Sequence, residues 1–160
     1  MGSEMCIRDR YLTLDKKCDP DIIDVNGNTP FHYAARGSGG VRVVNFLVSS
    51  LSCDPQLPNK DGIVPLHYAA QENHLELLKY LIKEAKCDPM FKDKDEATPM
   101  HFAASNGHVD IVTYLLLDNR CDPFSTDHNN QTPLHMAVRY SQLEVIDVIS
   151  KSPKLSLIHI

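Results

Sequence analysis

Four kinds of segment are missing from this chain of 160 residues, and the absences narrow the classes of function. No run of about 18 apolar residues occurs, so no stretch is long enough to insert in a bilayer as a helix. No basic run occurs either: 16 Lys and Arg stand against 21 Asp and Glu, for a formal charge of −5. Nucleic acid and anionic membrane surfaces therefore have no electrostatic claim on it. The Gly-rich phosphate loop, HExxH, GxSxG and CxxC are all lacking, which leaves an enzyme reading without residues and implies no cofactor. No signal-peptide pattern opens the sequence.

What the chain does have is repetition. Thr/Val-Pro-apolar-His recurs at Thr29-Pro30-Phe31-His32, Val64-Pro65-Leu66-His67, Thr98-Pro99-Met100-His101 and Thr132-Pro133-Leu134-His135. Cys-Asp-Pro recurs at Cys18, Cys53, Cys87 and Cys121. Both marks step by 35, 34 and 34 residues, so the fold is set by stacking one small unit on the next. Thr29, Thr98 and Thr132 suit a helix N-cap with Pro in the first helical position, where its missing N–H matters least. The first helix of each unit is short, because Asn73 and Gly107 follow about two turns later and suit a left-handed C-cap. Ser141 suits it less well, and Arg36-Gly37-Ser38-Gly39-Gly40 carries the extra residue of the 35-residue step.

Second helices are expected from Val41, Leu75, Val109 and Leu143. Leu75, Leu77, Leu78, Leu81 and Ile82 spread over more than one helical face, as in a helix held between two neighbours. Between each Cys-Asp-Pro and the next Thr/Val-Pro, the Asp, Asn, Gly and Lys content predicts a projecting turn.

The signature resembles the T-P-L-H-x-A motif of ankyrin repeats, with a period close to theirs of about 33 residues, over residues 11–154. The resemblance implies an all-α solenoid of stacked helix-turn-helix units with projecting β-turn or hairpin loops. Its units are 24–58, 59–92, 93–126 and a shortened 127–154, preceded at 11–23 by the tail of a truncated unit. Tyr11 and Leu12 lie as far before Cys18 as Tyr114 and Leu115 lie before Cys121.

The ends read differently. Residues 1–10 and 155–160 fall outside the period and are related as nucleic acid. Leu155 to Ile160 back-translates to CTG TCT CTT ATA CAC ATC, whose reverse complement encodes Met5-Cys6-Ile7-Arg8-Asp9. This matches a transposase adapter used for sequencing libraries, so both tails are expected to be adapter-derived and are set aside from fold reasoning. They carry two basic and two acidic residues, so the charge of −5 belongs to the array.

The cysteines invite a disulfide or a metal. Equivalent positions in stacked helices are about 8–10 Å apart, beyond the roughly 7 Å a disulfide allows, and four thiolates so spaced do not converge on zinc. Cys18, Cys53, Cys87 and Cys121 are expected to be small buried residues, and reduced thiols in this number point to the cytoplasm. His32, His67, His101 and His135 have only Ala and an aromatic or Met beside them, with no nucleophile or carboxylate, so no catalytic residue is assigned. The resemblance makes them hydrogen-bonding framework residues, and His74 and His108 read the same way.

Function is then expected on the surface. In ankyrin arrays the turn tips and first helices line a concave face that contacts partner proteins. The family pattern places Val25, Asn26, Asn28 and Arg36 there, then Lys60, Asp61, Ile63, Gln71 and Glu72. It adds Lys94, Asp95, Ala97, Ser105 and Asn106, then His128, Asn129, Gln131, Arg139 and Tyr140. These positions vary between units while the framework repeats. Tyr33, Tyr68, Phe102 and Met136 are expected to pack rather than to make contacts. The resemblance implies a scaffold or targeting module that binds another protein, or a regulatory segment of a larger enzyme or channel such as a kinase or ubiquitin-ligase adaptor. Three departures from the pattern matter. Glu96 and Asn130 stand where Gly27 and Gly62 stand, so the third turn is expected to differ in shape, and Val64 replaces a capping Thr at a loss of about 1 kcal/mol.

Overall fold

The computed structural model describes residues 19, 21–38 and 40–156, with only the backbone at 155 and 156. The tail 1–10, residues 11–18 with Cys18, and residues 157–160 lie outside the described residues.

Each unit contributes a short first helix and a second helix. The first helices are α1 (Pro30–Arg36), α3 (Pro65–Gln71), α5 (Pro99–Ser105) and α7 (Pro133–Arg139). The second helices are α2 (Gly40–Leu51), α4 (Leu75–Lys83), α6 (Val109–Leu117) and α8 (Leu143–Ser150). A short α9 (Pro153–Ser156) runs two residues past the unit boundary drawn at 154. Three second helices start where the sequence places them, and α2 starts one residue earlier. No strand occurs among the described residues, and the projecting segments are turns.

First helices pack on first helices and second on second, so one apolar core runs the length of the stack. Leu66, Leu78, Leu81, Ile111, Leu115 and Ile149 are wholly buried in it. Proline opens every first helix, and the left-handed residues Asn73, Gly107 and Ser141 follow its end at φ 61°, 75° and 56°. Ser141 thus takes the left-handed conformation as fully as Asn73 does.

Hydrogen-bonded ladders tie unit to unit. In the His ladder, Nδ1 of His32, His67, His101 and His135 accepts the backbone N–H of the residue before its own unit's Pro, at 3.0–3.1 Å. That bond fixes the ring proton on Nε2. His32 Nε2 then donates to Ile63 O at 2.9 Å, His67 to Phe91 O and Ala97 O at 3.0 and 3.2 Å, and His101 to Gln131 O at 2.9 Å. Burial holds His67 down to about 4 and lowers His32 and His101 as well, because desolvation penalises the imidazolium. These imidazoles are neutral struts.

A second ladder joins the starts of the second helices to the preceding unit: His108 Nε2 bonds Gln71 O at 2.6 Å and Gln142 Nε2 bonds Ser105 O at 3.1 Å. His74 departs from the expected framework role, since its buried Nε2 has no partner among the described residues. Its unit follows the one with the extra residue, so the spacing that brings His108 to the last carbonyl of α3 does not bring His74 to that of α1. A third ladder links the Cys-Asp-Pro corners, where Asp54 N, Asp88 N and Asp122 N donate to Asp21 Oδ1, Gln56 Oε1 and Met90 Sδ.

Cys53, Cys87 and Cys121 are buried, and desolvation raises their thiols to about 11, 12 and 12. They are far from the thiolate form that reacts or binds metal. Among the described residues no group of three His, Cys, Asp or Glu is placed to hold a metal ion, and no helix is long and apolar enough to cross a membrane.

Candidate protein-binding face

The turn tips are built identically from one polar residue each. Asp24 Oδ1 accepts the amides of Asn26 and Asn28, and Asn59 Oδ1 those of Asp61 and Ile63. Asp93 Oδ1 accepts those of Asp95 and Ala97, and Asp127 Oδ1 those of Asn129 and Gln131, all between 2.8 and 2.9 Å. One side-chain oxygen thus satisfies two amides that the turn leaves orphaned. Neighbouring tips are then stitched together: Lys60 N donates to Asn26 O, Lys94 N to Asp61 O and His128 N to Asp95 O, at 3.0, 3.0 and 2.8 Å.

The last turn position is left-handed in all four tips: Gly27 (φ 79°), Gly62 (75°), Glu96 (58°) and Asn130 (57°). Glu96 N still reaches Asp93 O at 3.0 Å, as Gly62 N reaches Asn59 O at 3.0 Å. The expectation of a different third turn is therefore corrected: the inter-tip bonds on either side hold the backbone, and Glu96 adopts a conformation disfavoured for a side chain. Val64 lacks the hydroxyl that Thr29, Thr98 and Thr132 place 2.8–2.9 Å from their His Nδ1.

On this frame the nominated surface residues fall along the tips and first helices. Val25, Asn26, Arg36, Lys60, Asp61, Glu72, Lys94, Asp95, Asn106, His128, Asn129, Arg139 and Tyr140 are exposed. Asn28, Ile63, Gln71, Ser105 and Gln131 are half-buried, and Ala97 is buried. Several of these are structural as well: Asn28 Oδ1 accepts from Asn59 Nδ2, Gln71 O receives His108, and Gln131 O receives His101. Lys60 Nζ donates to Val25 O at 2.6 Å, so it bridges two tips.

The aromatic row expected only to pack does more. Tyr33 is 57% exposed, and its hydroxyl donates to Asp24 Oδ2 at 2.5 Å; Tyr68 OH lies 3.4 Å from Asn59 Nδ2. With two backbone amides added, the Tyr33 bond draws the Asp24 carboxyl down to about 2. Phe102 and Met136 occupy the same position in the next two units and have no hydroxyl. The nine-residue spacing from Asp24 to Tyr33 and Asn59 to Tyr68 was the available signal for this pairing.

A groove of about 300 Å³ opens between the third and fourth tips, lined by Asp93, Asp95, Phe102, Asp127, Met136 and Arg139 among others. Four of the nominated positions beyond these, Ala97, Ser105, Asn129 and Gln131, also line it.

A family model described as ankyrin repeats (3 copies) matches residues 9–93 and 66–156, and so nearly the whole chain. None of the curated proteins compared with it matches. Arrays of this kind are generally non-catalytic protein-interaction modules. The matched residues take in the proline-opened helices, the His struts and the stitched tips of all four units, and the chain belongs to the ankyrin-repeat family.

Proposed function

We propose that the array binds a partner protein on the concave face formed by the turn tips and first helices, as a scaffold or targeting module in the cytoplasm. One observation supports this reading: each tip is held by the Asx side chain that starts its turn and by backbone bonds to its neighbours, so most of the outward side chains can vary without loss of the frame. Val25, Lys60, Lys94 and His128 sit at equivalent exposed positions and differ in chemistry, on backbones tied down by the same Asx-type bonds. A fixed comb with changeable teeth loses little ordering entropy on binding.

Peptides selected from a random display library against the immobilised chain provide the test. Binding to the selected peptides should fall with Lys94→Glu or Tyr140→Ala at unchanged melting temperature, and should ignore Lys83→Glu and Asp110→Lys on the second helices. The reverse pattern would overturn the assignment.

A further inference from the structure

The four tips share one backbone, yet the carboxylates of the last two are left with an open oxygen. Asp24 Oδ2 is occupied by Tyr33, and the second tip carries the neutral Asn59 facing Tyr68. Asp93 and Asp127 each give Oδ1 to two amides, and neither Oδ2 has a hydrogen-bond partner among the described residues. Phe102 and Met136 cannot supply one. Asp127 is only 6% exposed, and what remains open of it lines the groove between the tips. Neither open oxygen is sealed in the interior, so each is reachable from the groove, where a carboxylate favours a cationic donor.

The groove also decides which donor. Asp93, Asp95 and Asp127 contribute three carboxylates, and Arg139 on the same groove makes no ion pair with them among the described residues; its guanidinium lies 5.9 Å from the Tyr140 ring. Lys92 gives its ammonium to Thr126 O at 3.2 Å. No group of three ligands among the described residues is placed for a metal ion. Phe102 lines the groove beside the carboxylates, and a planar guanidinium can stack on an aromatic ring while its N–H fork reaches carboxylate oxygens.

We propose that the groove between the third and fourth tips receives an arginine side chain of the partner protein, with Asp93 Oδ2 and Asp127 Oδ2 as acceptors and Phe102 as the stacking surface. This rests on the concave-face reading and adds to it a position and a ligand chemistry. The contrast in carboxyl acidity agrees: burial raises Asp93 above the ordinary carboxylate value where the hydroxyl-bonded Asp24 is lowered.

The test uses N-acetyl-arginine methylamide as the probe, with its lysine and citrulline counterparts, followed by backbone amide shifts of the full chain. Arginine should give saturable shifts at 93–97 and 127–131, and citrulline, which keeps the shape without the charge, should give none. Asp93→Asn with Asp127→Asn should weaken the probe by about tenfold or more, the loss of one or two charge-assisted bonds. Asn59 shows that Asn serves the turn, so this variant should keep its melting temperature. Phe102→Tyr and Met136→Tyr should close the site by the bond Tyr33 makes, again with the fold intact. The proposal is overturned if arginine and citrulline shift the spectrum alike, if lysine binds as tightly as arginine, or if no saturable shift appears. Display-selected peptides that map to the concave face without needing a basic residue would also sink it and leave the broader reading standing. Peptides that map to the second helices would sink that reading instead, whatever the probe does.

Discussion

In the second and third units the residue that holds the tip meets a different side chain from the first helix. Tyr68 faces Asn59 in one; Phe102 faces Asp93 in the other. Their backbones are the same, with the same pair of amides on Oδ1 and the same left-handed fourth residue. Among the tips that carry a carboxylate, the hydroxyl-bonded Asp24 is drawn down to about 2, while burial pushes Asp93, which meets no such hydroxyl, up. The lesson is that the frame fixes where atoms are, and the leftover hydrogen-bonding capacity fixes what the surface attracts. The largest expected effects belong to the shared frame, and the smallest to the places where units differ.

Breaking the frame comes first. Leu81 of α4 and Leu115 of α6 are wholly buried between neighbouring second helices. Either Leu→Ala should destabilise by about 2–5 kcal/mol in chemical denaturation, while Leu143→Ala, at a position 76% exposed, should change little. Equal losses at all three positions would mean that the stack is not packed as a continuous core.

The His ladder should make the frame acid-sensitive. Desolvation depresses His67 from 6.5 to about 4, so between those values the unfolded chain binds the proton that the folded chain refuses. The contribution is therefore whole above about 6.5 and is lost as pH falls toward about 4, on the order of 3 kcal/mol for His67. Denaturation at stepped pH should show stability rising with pH across this window. His67→Gln, which can still donate to a carbonyl, should flatten the slope while lowering stability at neutral pH. A slope unchanged by that substitution would remove His67 from the account.

Most of this frame was legible in the sequence because it repeats. Proline fixes the start of each first helix, and the 34-residue step alone places the second helices and the buried cysteines. The candidate face was legible only as a set of positions. The Tyr33–Asp24 bond, the missing hydroxyls at Phe102 and Met136, and the orphaned His74 Nε2 depend on which side-chain atoms meet across a tip or a unit boundary. A periodic pattern averages over such pairings. The same averaging hid the third turn: Glu96 looks incompatible when read alone, but bonds from both flanking tips hold it in place.

Turn position four sharpens the comparison between units. A Cβ on Gly62 would lie 2.8 Å from Lys94 N, and its φ is 75°. Gly62→Ala should therefore destabilise by about 1–2 kcal/mol or more, whereas Glu96→Gly should stabilise by about 1 kcal/mol by relieving the left-handed side chain. Thermal melts of the two variants, run side by side, check the opposite signs.

The smallest effect lies at the second unit's cap. Val64 is 1% exposed and offers His67 Nδ1 only its backbone N–H, at 3.1 Å. In the other units a Thr hydroxyl adds a bond to the same nitrogen at 2.8–2.9 Å. Threonine and valine have nearly the same shape, so Val64→Thr brings in a buried hydroxyl whose partner is already in position, and that partner removes the usual penalty of burying it. Stabilisation by about 0.5–1 kcal/mol is expected, seen as a melting temperature a few degrees higher. The paired substitution Thr98→Val should lose a similar amount, because Thr98 and Val64 occupy equivalent, fully buried positions. If Val64→Thr destabilises while Thr98→Val does too, the second unit has adapted its packing to the methyl group, and the four caps are not interchangeable.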